Sequence, residues 1–231
     1  MMFYYGFSKE ELFITLLMMI IPLIASIKVQ GAFKKYSRVG TISGYTGEQA
    51  AKRILMTNNI NIPIREVRGS MTDFYDPVHK SLALSQSVYG VNSIAALGVA
   101  AHETGHAIQD ANDYAFLRFR HAIYPVTNFA SSISIPLIMM GLIFTSLPFL
   151  VDIGIWLFAF TTIFAIVTLP VEFNASKRAL ASLEACNILT DEELKGAKKV
   201  LNAAALTYVA AAVASILGLI RLLMSVSRND D

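Results

Sequence analysis

The chain has 231 residues, 55% of them hydrophobic and 16% charged, with a mean hydropathy of +0.53. Soluble domains carry about a quarter charged residues, so these figures exclude an ordinary water-soluble globule, and they exclude intrinsic disorder as well. A formal net charge of +2 gives no basic balance for nucleic acid, and the single cysteine, Cys186, rules out a disulfide framework or a cysteine-rich zinc finger.

The apolar residues are gathered into spans. Near the N-terminus, Phe3, Tyr4, Tyr5 and Phe7 suit an interfacial aromatic belt. Leu12–Ile27 carries no charge, lies between Glu10-Glu11 and Lys28, and with its flanks reaches the length of a bilayer span. Pro22 is tolerable within a membrane helix. A cleaved signal peptide fits poorly, because the basic n-region is nearly absent and no A-x-A site follows. Residues 1–28 therefore read as an uncleaved anchor helix. A polar segment, 29–123, comes next. It begins with a helix over Gly47–Met56 capped by Thr46, followed by a turn-rich stretch with short strands at Ile62–Arg68 and Lys80–Ser85. The second strand reads as a core strand, with an edge strand offered to a substrate backbone as the alternative. A long helix from Ser93 to about Asn112 follows.

Residues 124–171 form a transmembrane hairpin: spans over Tyr124–Phe144 and Phe149–Leu169 are joined by the short link Thr145–Pro148, and Asp152 is the one charge in the pair. The last segment, 172–231, holds a helix over 171–185 with Pro170 at its start, a capped helix start at Thr190–Glu193, and the alanine-rich run Ala203–Ile220, which ends at Arg221. That run is either a fourth span or a helix buried against other helices. The fold class expected is a mainly α-helical integral membrane protein with a small β element.

Charge placement gives an orientation. Residues 28–123 carry eleven Lys/Arg, with Lys28, Lys34, Lys35 and Arg38 beside the first span, and residues 170–202 carry five. The link 145–148 has none. The positive-inside rule places both basic segments in the cytoplasm. Arg221 and Arg228 lie on the wrong side if the fourth span crosses fully.

The long helix carries His102-Glu103-Thr104-Gly105-His106, an H-E-x-x-H. Residues four apart share a helix face, so both imidazoles can address one ion. Glu103 lies beside that ion as the base for a water molecule. Zinc suits such a site, which needs three protein ligands and an open position. The preceding run Ala95–Ala101 is small and apolar, so the helix is buried, and buried histidines need partners. For the third ligand, Glu172 lies on the same predicted side of the membrane, because two spans intervene. It follows directly on an apolar span, where a lone carboxylate is costly. As a bland alternative, Glu172 complements a helix dipole. Glu184, Asp191, Glu192 and Glu193 compete for the role, the last three reading better as a solvated helix start.

An H-E-x-x-H, a transmembrane hairpin and then Glu172-Phe173-Asn174-Ala175-Ser176 on a helix resemble the YugP-type neutral zinc metallopeptidase family of bacteria. The resemblance covers essentially the whole chain, including Tyr75-Asp76-Pro77. More distantly, the chain is similar to membrane zinc proteases of the heat-shock and CAAX-prenyl-protease type, whose third ligand is the Glu of an E-[FY]-x-A-D motif. That resemblance implies Glu172 as the ligand. Ser176 stands where the broader group has an Asp that orients a zinc-binding histidine, and it can hydrogen-bond but carries no charge.

The expectation is thus a membrane zinc endopeptidase, with Zn2+ on His102, His106 and Glu172 and with Glu103 as general base. Its partners would be the lipid bilayer and a peptide or protein substrate. Arg178, His121, His79 and Tyr75 are the candidates for stabilising the oxyanion. The alternative is a structural or adaptor membrane protein that holds zinc without turnover.

Overall fold

A computed structural model describes residues 8–144 and 146–227. The aromatic cluster at Phe3–Phe7, Thr145 of the hairpin link and Arg228 lie outside the described residues.

Helix α1 spans Lys9–Tyr36. Its start is fixed by a capping box in which Glu11 N–H donates to Ser8 Oγ (3.1 Å) and Ser8 N–H donates to Glu11 Oε2 (2.9 Å). Glu10 and Glu11 in the first turn and Lys34 and Lys35 in the last complement the helix dipole. Pro22 is accommodated within the helix. Helix α2, Gly47–Thr57, begins at the expected cap: Gln49 N–H donates to Thr46 Oγ1, and the Gln49 side chain accepts from Thr46 N–H. Its start lies so close to Val88 that a Cβ on Gly47 would stand 2.3 Å from the Val88 carbonyl oxygen.

Three short strands follow: β1 (Ile64–Val67), β2 (Phe74–Asp76) and β3 (Ser81–Ser85). The sheet order is β1-β3-β2, with β1 parallel to β3 (Ile64 opposite Leu82) and β2 antiparallel to it (Tyr75 opposite Leu82). All five residues of β3 are buried. It is the central strand, not an edge, and the strand beside the site is β2, which lies within the turn-rich stretch. Helix α3, Ile94–Ala111, starts where Ala96 N–H donates to Ser93 Oγ (3.1 Å).

Helix α4 spans Ala115–Ile143, α5 Phe149–Ala185 and α6 Asp191–Ser227. One boundary differs from expectation. Pro170 does not open a new helix; it sits inside α5, which runs unbroken from the third span to the segment carrying Glu172. A proline in the first turn and one inside a helix share φ near −65°. In apolar surroundings, continuing the helix keeps the other backbone groups bonded where no water could satisfy them. The alanine-rich run 203–220 likewise proves to be the interior of α6, whose start is capped by Thr190 and Glu193.

Among the described residues, α1, α4, α5 and α6 are long and apolar enough to cross a membrane. The chain is thus mainly helical, with four candidate spans and one small sheet.

Two compact units result. One holds the described residues of Met1–Ala25, Phe119–Thr168 and Tyr208–Asp231. Inside it Ile138, Val151 and Ile155 form a cluster flanked by Leu219, Leu222 and Val226. Polar contacts inside it include the Thr162 and Ser215 hydroxyls at 2.8 Å, and Ser225 Oγ donating to Glu11 Oε1 at 3.0 Å. Its outer surface carries large apolar side chains, among them Trp156, Met19, Phe13 and Phe129, as a lipid-facing surface requires. The other unit holds Ser26–Arg118 and Leu169–Thr207. Its core joins Ile54 of α2, Leu82 and Leu84 of β3, Leu97 of α3, Leu183 of α5 and Leu201 of α6. This second unit contains the H-E-x-x-H.

Candidate active site

Small residues let α3 come close to its neighbours. Ala95, Ala96, Ala100 and Ala101 are fully buried. At Gly105 the main chain of α5 is so near that an added Cβ would stand 2.5 Å from the Ala175 carbonyl oxygen. This close approach sets His102 and His106, one turn apart on α3, against Glu172 on α5. His102 Nε2 lies 3.2 Å from Glu172 Oε2, and His106 Nε2 lies 3.6 Å from the same oxygen. The two rings meet edge to face, 4.8 Å between centroids and 85° apart. Glu172 is 2% exposed.

The second ring nitrogens are also engaged. Ser176, one turn beyond Glu172 on the same face of α5, places its hydroxyl 3.1 Å from His102 Nδ1. The uncharged residue thus reaches one of the two histidines of the H-E-x-x-H. His106 Nδ1 lies 3.0 Å from Gln109 Oε1. Gln109, fully buried, went unnoticed in the sequence. Its signal was there: a polar residue three positions after His106, on the buried face of an apolar helix.

Glu103 points from α3 toward the sheet and accepts the Tyr75 main-chain N–H at 3.0 Å through Oε2. Tyr75 lies on edge strand β2, and its phenol donates to Asp110, two turns further along α3. Lys80 also donates to Asp110. Burial first, then the hydrogen bond to Asp110 and its charge, push the Tyr75 hydroxyl well above the usual phenol range. It stays neutral.

The other oxyanion candidates are placed as follows. His79 is mostly exposed, with Nδ1 2.8 Å from Asp76. Arg178 donates through Nε to Asn174 Oδ1 at 2.8 Å. His121 belongs to the other compact unit. Of the competing ligands, Glu184 is exposed on α5, and Glu193 is committed to the N-terminus of α6 and to Ile42 N–H (2.8 Å).

Among the described residues, His102, His106 and Glu172 are the group of His, Cys, Asp and Glu side chains near enough to share an ion, their ligand atoms all within 4.8 Å of one another. The donors fit zinc: two imidazole nitrogens and one carboxylate. The local field fits a cation too. Burial opposes charge on His106, yet the Glu172 hydrogen bond and the negative charges of Glu103 and Glu172 outweigh it and raise its proton affinity above the ordinary imidazole range.

Fold and site together define a mainly helical protein with four candidate membrane spans, in which the two histidines of an H-E-x-x-H and a glutamate from a second helix could hold a metal ion. The chain belongs to the family described as "Putative neutral zinc metallopeptidase", whose profile matches residues 11–227. It is 44% identical over 214 residues to a Bacillus subtilis (strain 168) protein named "Putative membrane protease YugP", covering 92% of this chain and 95% of that protein. No solved structure matches.

Proposed function

We propose that this protein is a membrane zinc endopeptidase, with His102, His106 and Glu172 holding the metal and Glu103 acting as general base. The observation that carries this reading is the convergence of both Nε2 atoms on one buried Glu172 oxygen, with Glu103, next to His102 on α3, anchored by the Tyr75 N–H. Zinc, when bound, polarises the scissile carbonyl and makes water more acidic. The chain's own residues do the rest. Ser176 and Gln109 hold the two imidazoles by their Nδ1 atoms, and the close packing at Gly105 fixes the distance between the ligand-bearing helices. Glu103 takes the proton of the attacking water and delivers it to the leaving amine nitrogen. A single N–H anchor on Oε2 leaves Oε1 of Glu103 for that exchange.

The substrate class is peptides or membrane-associated proteins. The active site faces the cytoplasm, because Lys28, Lys34, Lys35 and Arg38 follow the first span and Lys177, Arg178, Lys195, Lys198 and Lys199 flank the later ones. The test is cleavage of casein and of a membrane-protein substrate by the purified protein in lipid vesicles. Glu103→Gln is expected to keep zinc and lower kcat about 10²–10⁴-fold, the share a general base supplies. Zinc-loaded wild type that cleaves nothing across a broad peptide library would instead mark a structural zinc protein.

A further inference from the structure

The polar residues behind His106 form a chain whose hydrogen-bonding directions are all determined. Gln109 Nε2 lies 2.8 Å from the Val171 main-chain oxygen, an atom that only accepts, so the amide nitrogen must face it. The same nitrogen lies 3.0 Å from Asn174 Oδ1. That oxygen also receives Arg178 Nε–H at 2.8 Å, and a guanidinium only donates, so Asn174 must present its oxygen and not its nitrogen. Both hydrogens of the Gln109 amide are therefore spent on Val171 and Asn174. The remaining Oε1 faces His106 Nδ1 at 3.0 Å and can only accept. Nδ1 must then carry a hydrogen, and a neutral imidazole with hydrogen on Nδ1 has its lone pair on Nε2, the nitrogen turned toward Glu172.

We propose that Gln109 is a positioning residue which fixes the tautomer and ring orientation of His106 for metal binding, and that Asn174 and Arg178 on α5 fix Gln109 in turn. His102 lacks such a determinant, since the Ser176 hydroxyl can donate or accept. His106 is the pre-set ligand and His102 the adaptable one. The network joins the two helices that carry the ligands, so the packing that brings Glu172 to the histidines also selects the tautomer. This assignment rests on the reading that the triad holds zinc.

The test is zinc affinity of the full-length protein in detergent, measured by competition with a chromophoric chelator, beside thermal melting of the metal-free form. Gln109→Met keeps the length and removes the amide; it should weaken zinc binding about 10–100-fold, as loss of a partner behind a metal ligand does. Asn174→Leu should weaken binding in the same direction, whereas Asn174→Asp, which still accepts from both Gln109 and Arg178, should stay within about twofold of wild type. If Gln109→Met does not fold, the Asn174 pair decides. Zinc affinity unchanged in Gln109→Met and Asn174→Leu, even with lowered melting, would make the network a helix staple only and overturn the proposal. Wild type that binds no zinc would instead overturn the metal reading beneath it.

Discussion

Gly105 is where packing and chemistry meet most tightly, and Gly105→Ala tests whether the close approach of α3 and α5 builds the site. The new Cβ would stand 2.5 Å from Ala175 O, with Ala175 C and Cα at 3.1 and 3.2 Å. Carbon–oxygen contacts settle at about 3.3 Å or more, so the helices must part by roughly 0.8 Å. The three nearest atoms are all main chain, so the closest clash cannot be relieved by a flexible side chain. Overpacking of this kind costs about 1–3 kcal/mol, against about 1 kcal/mol gained by placing alanine in a helix interior. The net is a loss of up to about 2 kcal/mol. The metal site suffers more, because ligand constellations tolerate displacements of only about 0.5 Å. Chelator competition should show zinc affinity reduced at least about tenfold, with a lower melting temperature for the metal-free protein. Gly98→Ala is the internal control: its Cβ would meet Ala197 Cβ at 3.6 Å, an ordinary contact. It should therefore melt at or above wild type and bind zinc normally. A Gly105→Ala protein that behaves like Gly98→Ala in both measurements would refute the reasoning.

Other consequences can be checked alongside. Ser176→Asp places a carboxylate against His102 Nδ1, which raises ligand basicity; zinc affinity should rise several-fold by the same chelator titration. Glu193→Ala removes the acceptor for Ile42 N–H and for Thr190 N–H and Oγ1; leaving such groups unsatisfied costs about 1–3 kcal/mol, read as a lower melting temperature with zinc affinity unchanged. Reporters fused within residues 145–148 should be active outside the cell, and those fused near residue 190 inside; the opposite pattern would reverse the orientation and leave the site intact.

Much of this was legible from local chemistry. Runs with almost no charge marked the candidate spans, Thr46 marked a helix start through its own hydroxyl, and the spacing of His102 and His106 placed both imidazoles on one face. What escaped depends on contacts between distant segments. Strand β2 is three residues long and exists by pairing with β3; nothing within Phe74–Asp76 distinguishes it from a turn. Pro170 reads alike as a helix start and a helix interior, and the decision rests on the apolar surroundings of α5. Gln109 and the Tyr75 main-chain N–H gained their roles only once α3 lay beside α5 and the sheet. A backbone donor leaves no mark in a sequence at all. Ser176 could be read as able to hydrogen-bond without carrying charge, and only the packing of α5 against α3 brings its hydroxyl to His102 Nδ1.

The central claim is that His102, His106 and Glu172 hold one zinc ion with a position left open. Zinc K-edge absorption spectroscopy on the purified, zinc-loaded protein tests it directly. The account predicts one zinc per chain with two imidazole nitrogens at about 2.0–2.1 Å and carboxylate oxygen at about 2.0–2.2 Å, the carboxylate contribution disappearing in Glu172→Ala. Sulfur from Cys186 in the coordination sphere, or a spectrum unchanged by Glu172→Ala, would contradict it.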